Sequence, residues 1–185
     1  MPIKTHTAVA AALLALAPLS AMPLAVQNAA PGMAEEMKEL STEAYVQKAA
    51  VSDLFEIQSS QIALEKSGND DVKNFAEMMV ADHTASSEKL KTAVSEGETG
   101  AQLPTSLDDE HEAKLQQLRD AEDEEFDGLY LTMQEEGHEK ALMLHRSYAA
   151  SGGDAALREV ATSVVPVIEG HYEEVKTLRE NADAS

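Results

Sequence analysis

The chain contains no cysteine. Disulfides, thiolate metal ligands, thiol nucleophiles and a lipid-modified N-terminal cysteine are therefore excluded, and the fold must rely on its core. Tryptophan is also absent, and the aromatic set amounts to three Phe and four Tyr. An aromatic platform for nucleotides has little to stand on. Basic residues are scarce, with 14 Lys and Arg against 34 Asp and Glu, a net charge of −20. Such a surface repels nucleic acid and anionic lipid, which leaves a cation or a basic protein as the charged partner it can attract. Strand-like alternation is missing, as are a nucleophile elbow and a Gly-rich phosphate loop.

What remains is a chain of one domain's length with a distinct beginning. Met1–Thr7 carries Lys4, Ala8–Ala17 is an apolar run, and Pro18–Ala30 is rich in small residues. This is the plan of a secretory signal peptide, expected over residues 1–30. The run is about half the ~20 residues that a bilayer span requires, so no membrane span is expected in the mature chain. Several small-residue cleavage points are available, among them Ala17, Ala21, Ala25 and Ala29. The mature protein is expected to be periplasmic or otherwise exported. Its net charge is one unit below that of the whole chain, because Lys4 is the single charged residue removed.

Residues 31–40 are charged and unpatterned and are expected to form a flexible entry to a domain over 41–180, with a short tail at 181–185. Helical periodicity starts at Ser41, an N-cap with Glu43 in the first turn. Apolar or small residues then recur at Val46, Ala49, Ala50, Leu54, Ile57, Ala63 and Leu64. Gly68 stops that helix and Asn69 or Asp70 caps the next, which shows Val72, Phe75, Met79, His83, Leu90 and Val94 on one side and ends at Gly97. Two helices of ~25 residues joined by so short a turn are antiparallel neighbours.

Ser106 with Asp109 reads as a capping box opening a short amphipathic piece, Leu107–Leu118. The acidic run Asp120–Glu125 precedes a third long segment, Phe126–Ala150, as a solvated helix start. Ser151-Gly152-Gly153 ends it, and Asp154 caps the last helix. That helix is expected to bury Leu157, Val160, Val164, Val167, His171, Val175 and Leu178, and to kink at Pro166. The expected fold is all-α. It is a four-helix bundle of the ferritin-like kind, with a long crossover from Gly97 to Glu125 that carries a short extra helix.

Four ionisable residues fall near mid-height of the four long helices: Glu56, His83, His138 and His171. Helical rise places each of them ~18–27 Å from a turn, in helices ~37 Å long, whichever way the second pair points. Burying such groups is costly unless they are paired, hydrogen-bonded or bound to a metal. Two readings follow. In one, the three imidazoles and the carboxylate hold a divalent transition metal, zinc, iron, copper or manganese, with Asp82, Glu135 or Glu174 as outer partners. In the other they form a metal-free hydrogen-bonded network in which Glu56 pairs with one histidine.

A carboxylate-bridged di-iron centre fits poorly. Glu-x-x-His occurs once, as Glu135 to His138, while Val80 and Ile168 stand three residues before His83 and His171. Met78, Met79, Met133 and Met143 read as core filler, and His111 as solvated. No catalytic residue is assigned, and a non-enzymatic role is expected. The competing functional reading is a metal-free structural or interaction protein of the bacterial envelope.

These residues also carry a resemblance. Tyr45-Val46 with Ala49-Ala50 and Glu56, Ala63–Lys66, Phe75–His83, Leu103-Pro104, Phe126-Asp127 with Tyr130, His138-Glu139, Asp154 with Leu157, and Pro166 with His171 make up the pattern. In these stretches the chain resembles the exported bacterial family called domain of unknown function 4142, from about Thr42 to Leu178. The resemblance implies a ferritin-like helical bundle outside the cytoplasm and brings no agreed activity. The glycine that the family usually has before its Phe-Asp pair is replaced here by the acidic run.

Overall fold

The Ser41 hydroxyl accepts a hydrogen bond from the Ala44 N–H and so opens the first helix, α1 (Thr42–Lys66). A computed structural model describes residues 40–183 apart from Glu98, and the side chain of Asp183 is left aside; the expected signal peptide and nearly all of the expected entry segment lie outside the described residues. Asn69 caps α2 (Asp70–Glu96) through the Asp71 N–H, with Asp70 and Asp71 in its first turn against the positive end of the helix dipole. The short helix α3 (Asp109–Asp120) follows, then α4 (Asp123–Ser151) and α5 (Ala155–Asp183). The described residues are helical with no strand, and no helix among them is long and apolar enough to cross a membrane.

Contacts at the helix ends fix the directions. Thr42 Oγ1, at the start of α1, is hydrogen-bonded to the Tyr148 hydroxyl near the end of α4 at 2.9 Å. Tyr148 also accepts from the Asp154 N–H ahead of α5, and its ring lies where a Cβ on Gly152 would sit, 2.5 Å away, so that turn requires a glycine. At the other end, Lys66 Nζ donates to the carbonyls of Arg119 and Ala121 at 2.8 and 2.7 Å, tying the end of α1 to the start of α4. Residues 97–122, with α3 among them, therefore run from one end of the helical domain to the other. α1 packs on α2 and on α4, and α5 packs on α4 and on α2, while α3 lies against α1 and α4.

Three apolar clusters form, a small one of Ala141, Leu142, Val164 and Ile168 between α4 and α5 and two larger ones at different heights. Of the larger two, one gathers Phe55, Phe75, Met79, Leu115, Phe126 and Tyr130; the other gathers Tyr45, Val46, Leu90, Tyr148, Leu157 and Ala161. Between them lies a buried polar layer made of Asp53, Glu56, His83, Gln134, His138 and His171. The stripes that build this layer are heptad-like: Ala49, Asp53, Glu56, Ser60 and Ala63 on α1, and Leu157, Ala161, Val164, Ile168, His171 and Val175 on α5, are all buried.

Several local expectations change. The cap of α3 is Asp108, which accepts from the His111 N–H, and not Ser106, because the carboxylate one residue before the helix reaches the free amides directly. The acidic run does serve as a helix start, with Glu122 as the cap and Asp123, Glu124 and Glu125 in the first turn of α4, while Asp120 ends α3. Val167 is 39 % exposed and Ile168 is buried in its place, a difference of one step around the helix. α5 continues past Pro166, which lies on the exposed side, and reaches residues 181–183, part of the expected tail. His111 is ion-paired to Asp108 at 2.6 Å and meets the Phe55 ring edge-on at 5.2 Å instead of standing free in solvent.

Candidate metal centre

α2, α4 and α5 each bring one histidine to the polar layer. His83 follows the fully buried Met79 by one turn, His138 follows Gln134 by one turn, and His171 lies between the buried Ile168 and Val175. The three rings stand 5.4–5.8 Å apart by centroid. One ring nitrogen from each lies within 4.8 Å of those of the other two. A tetrahedral ion with metal–nitrogen bonds of ~2.0–2.1 Å needs nitrogens ~3.4 Å apart. The imidazoles must close by at most ~1.4 Å per pair, which side-chain rotation supplies.

One nitrogen of each ring is already held. His83 Nδ1 lies 2.8 Å from Asp53 Oδ1, His138 Nδ1 lies 2.7 Å from the Gln134 carbonyl oxygen, and His171 Nε2 lies 2.9 Å from Asp82 Oδ2. Each of these partners is an acceptor, so each held nitrogen carries the hydrogen and donates it. In neutral rings the remaining nitrogens then present lone pairs. Those remaining nitrogens, His83 Nε2, His138 Nε2 and His171 Nδ1, are buried and have no hydrogen-bond partner among the described residues. Carboxylate or carbonyl behind the imidazole and a bare lone pair in front is the outer-shell pattern of metal-ligating histidine.

Charge follows the same geometry. Burial lowers the pKa of His138 to about 3, with the His83 charge adding to the effect and the Gln134 carbonyl opposing it. Burial also lowers His171, although its hydrogen bond to Asp82 works the other way. At His83 burial pulls downward, yet the hydrogen bond and charge of Asp53, with Glu56 and Asp82 behind them, prevail and raise it. The cluster is thus disposed to hold one positive charge among three imidazoles. A metal ion bound there would compete with protons for the ring nitrogens.

Glu56 is buried beside this cluster and is not among the residues whose ligand atoms converge. Burial raises its pKa to about 7, against the lowering effect of the His83 charge and of a hydrogen bond from Gln134. Its Oε2 has no partner among the described residues. A Cβ on Gly137 would come within 2.6 Å of Glu56 Oε1, so the glycine, which costs ~1 kcal/mol against alanine inside a helix, makes room for this carboxylate.

Sequence reasoning singled out the three histidines, which the structure brings together, and Glu56, which lies buried beside them; Asp82, named there as an outer partner, is bonded to His171. That reasoning missed Asp53, the carboxylate behind His83, although Asp53 lies on the same stripe as Glu56. It also missed Gly137. Two expected outer partners do something else: Glu135 is ion-paired with Arg179, and Glu174 is exposed and reaches His171 only through its charge. The carboxylates that pair with histidines of the cluster are Asp53, on His83, and Asp82, on His171, and not Glu56. His145, three residues before the buried Tyr148, is hydrogen-bonded to the Tyr45 hydroxyl at 3.0 Å and is not one of the three clustered histidines.

Comparison with known proteins gives a class first. Residues 23–178 match the family described as a domain of unknown function, DUF4142. The chain belongs to that family. No curated protein and no solved structure matches it.

Proposed function

We propose that this chain is an exported protein that holds one divalent transition-metal ion on His83, His138 and His171, with Glu56 alongside. We further propose that its helices form a ferritin-like bundle, α1, α2, α4 and α5 with a crossover carrying α3. The observation behind the metal reading is a buried cluster of three histidines, a ring nitrogen of each within 4.8 Å of the others, in which every ring has one nitrogen held by an acceptor and one without a partner among the described residues. Leaving such groups bare costs on the order of 1–3 kcal/mol each, and a metal ion removes that cost at all three. Imidazole donors suit zinc, copper and iron best, with manganese favoured only if Glu56 joins. Three protein ligands leave a position open on the ion, so the bound metal can accept a further ligand. Export is supported by the leader-like residues 1–30.

Calorimetric titration of untagged, chelator-stripped protein tests this. Zinc, copper, ferrous iron and manganese are titrated in turn, and at least one is expected to bind at a single site. His138→Ala should abolish that site. Asp53→Asn, which leaves the ligands in place but weakens the group orienting His83, should lower affinity by roughly 10–100-fold. No heat with any of the four ions, or a titration unaffected by His138→Ala, contradicts the proposal.

A further inference from the structure

A groove of about 680 Å³ lies between α1, α3 and α4. That volume falls within the range of roughly 300–1,000 Å³ typical of small-molecule sites. Its walls are mixed in a specific way. Phe55, Val51, Met133 and Leu144 supply apolar surface, and Glu56 and Gly137 also line it. Glu56 is 2 % exposed, with an oxygen that has no partner among the described residues, so a buried polar group faces a space large enough for a ligand.

The lining of this groove is charge-balanced where the molecule as a whole is strongly acidic, with Lys48, Lys114 and Lys140 against Glu56, Asp108 and Glu110. Three of the chain's 14 basic residues, Lys48, Lys114 and Lys140, line it, and so does His111. The acidic groups at the same edge are already engaged. Asp108 is bonded to His111 and caps α3, and Glu110 pairs with Lys114 at 3.1 Å. Lys48 on α1 and Lys140 on α4 are exposed and carry no ion pair among the described residues. In a chain of net charge −20, two uncommitted ammonium groups on facing helices over an apolar wall form a local exception.

We propose that this groove binds a small organic anion with an apolar body, its charged end between Lys48 and Lys140 and a hydrogen-bonding group at its far end on Glu56. The lysines set the sign of the ligand. The Phe55 and Met133 walls take its body, and Gly137 keeps the floor open at the Glu56 carboxyl. The groove lies on the Glu56 side of the histidine cluster, so its occupant and the metal are neighbours. Binding in the groove needs no metal, and the proposal therefore stands or falls separately from the metal reading.

The probe is 4-hydroxybenzoate, with 4-hydroxybenzylamine as the cationic counterpart of the same shape. Both are titrated into metal-free, isotope-labelled full-length protein and followed by amide chemical shifts. The expected result is saturable binding of the anion at least tenfold tighter than the cation, with shifts concentrated at Lys48, Val51, Phe55, Gly137 and Lys140. Lys48→Glu with Lys140→Glu should weaken the anion at least tenfold and narrow or reverse the preference. Gly137→Val should block binding by filling the floor, and the double lysine variant keeps the test open if that variant does not fold. Absence of saturable binding, preference for the cation, or binding unchanged in the lysine variant overturns the proposal.

Discussion

Saturating zinc, or whichever of the four ions binds most tightly, is expected to raise the midpoint of thermal unfolding by roughly 8–16 °C. A ligand that binds only the folded state at a thousand times its dissociation constant adds ~4.1 kcal/mol. For a domain of this size each kcal/mol moves the midpoint by ~2–4 °C. The effect is large because the three unpartnered nitrogens are a cost carried by the metal-free fold, which the ion converts to bonds. Two controls separate this from cation binding to the acidic surface. Calcium, which prefers oxygen ligands, should give a shift of only a degree or two. His138→Ala should lose nearly all of the zinc shift while keeping the calcium one. Equal shifts with zinc and calcium, or a zinc shift that survives His138→Ala, would show that the ion sits on surface carboxylates.

The metal-free protein should become less stable as pH rises from ~4.5 to 7 relative to a Glu56→Gln variant. Glu56 has a folded pKa of about 7 against 4.5 for the free group, with burial the first cause and the His83 charge and Gln134 opposing it. Because the folded state holds this proton more tightly than the unfolded state, folding binds protons within that window, and stability falls as pH rises through it. Above pH 7 the whole cost is present, on the order of 3 kcal/mol. Glutamine has the same shape and no charge to desolvate, so the variant is expected to exceed wild type by up to that amount at pH 8 and to match it near pH 4. Urea unfolding at a series of pH values gives the difference directly, and the titration of the acidic surface cancels between the two proteins. With metal bound the sign reverses, since a carboxylate beside a cation is favourable, and Glu56→Gln should then weaken the complex. A difference independent of pH in the metal-free protein would mean that Glu56 is not buried with its charge at stake.

Much of this was legible in the sequence, for reasons that particular residues make plain. Ser41, Asn69 and Asp154 cap helices where they were expected, because a side-chain oxygen before an apolar-periodic run has few other uses. His83 was recoverable from its spacing to Met79 and Leu90, which are buried as that spacing requires. His171 was placed correctly on a partly wrong stripe: Val167 and Ile168 are adjacent and equally apolar, and only the packing of α5 on α4 and α2 decides which turns inward. Asp53 escaped because an acidic residue in a helix of an acidic chain reads as solvated. Its position four after Ala49 and three before Glu56 was the available sign. Gly137 escaped for a deeper reason, since its purpose depends on where a side chain of another helix points. The cap of α3 was misplaced between Ser106 and Asp108 because both are good caps and stand two residues apart.

The central claim is that three imidazoles bind one ion, and anomalous diffraction from crystals of the zinc-loaded protein tests it most directly. The account predicts one strong peak per chain inside the helical domain, ~2.0–2.1 Å from a nitrogen of each of His83, His138 and His171. Asp53, the Gln134 carbonyl and Asp82 should remain on the opposite ring nitrogens. A polar layer with no peak in it, or peaks confined to carboxylates on the surface, would contradict it.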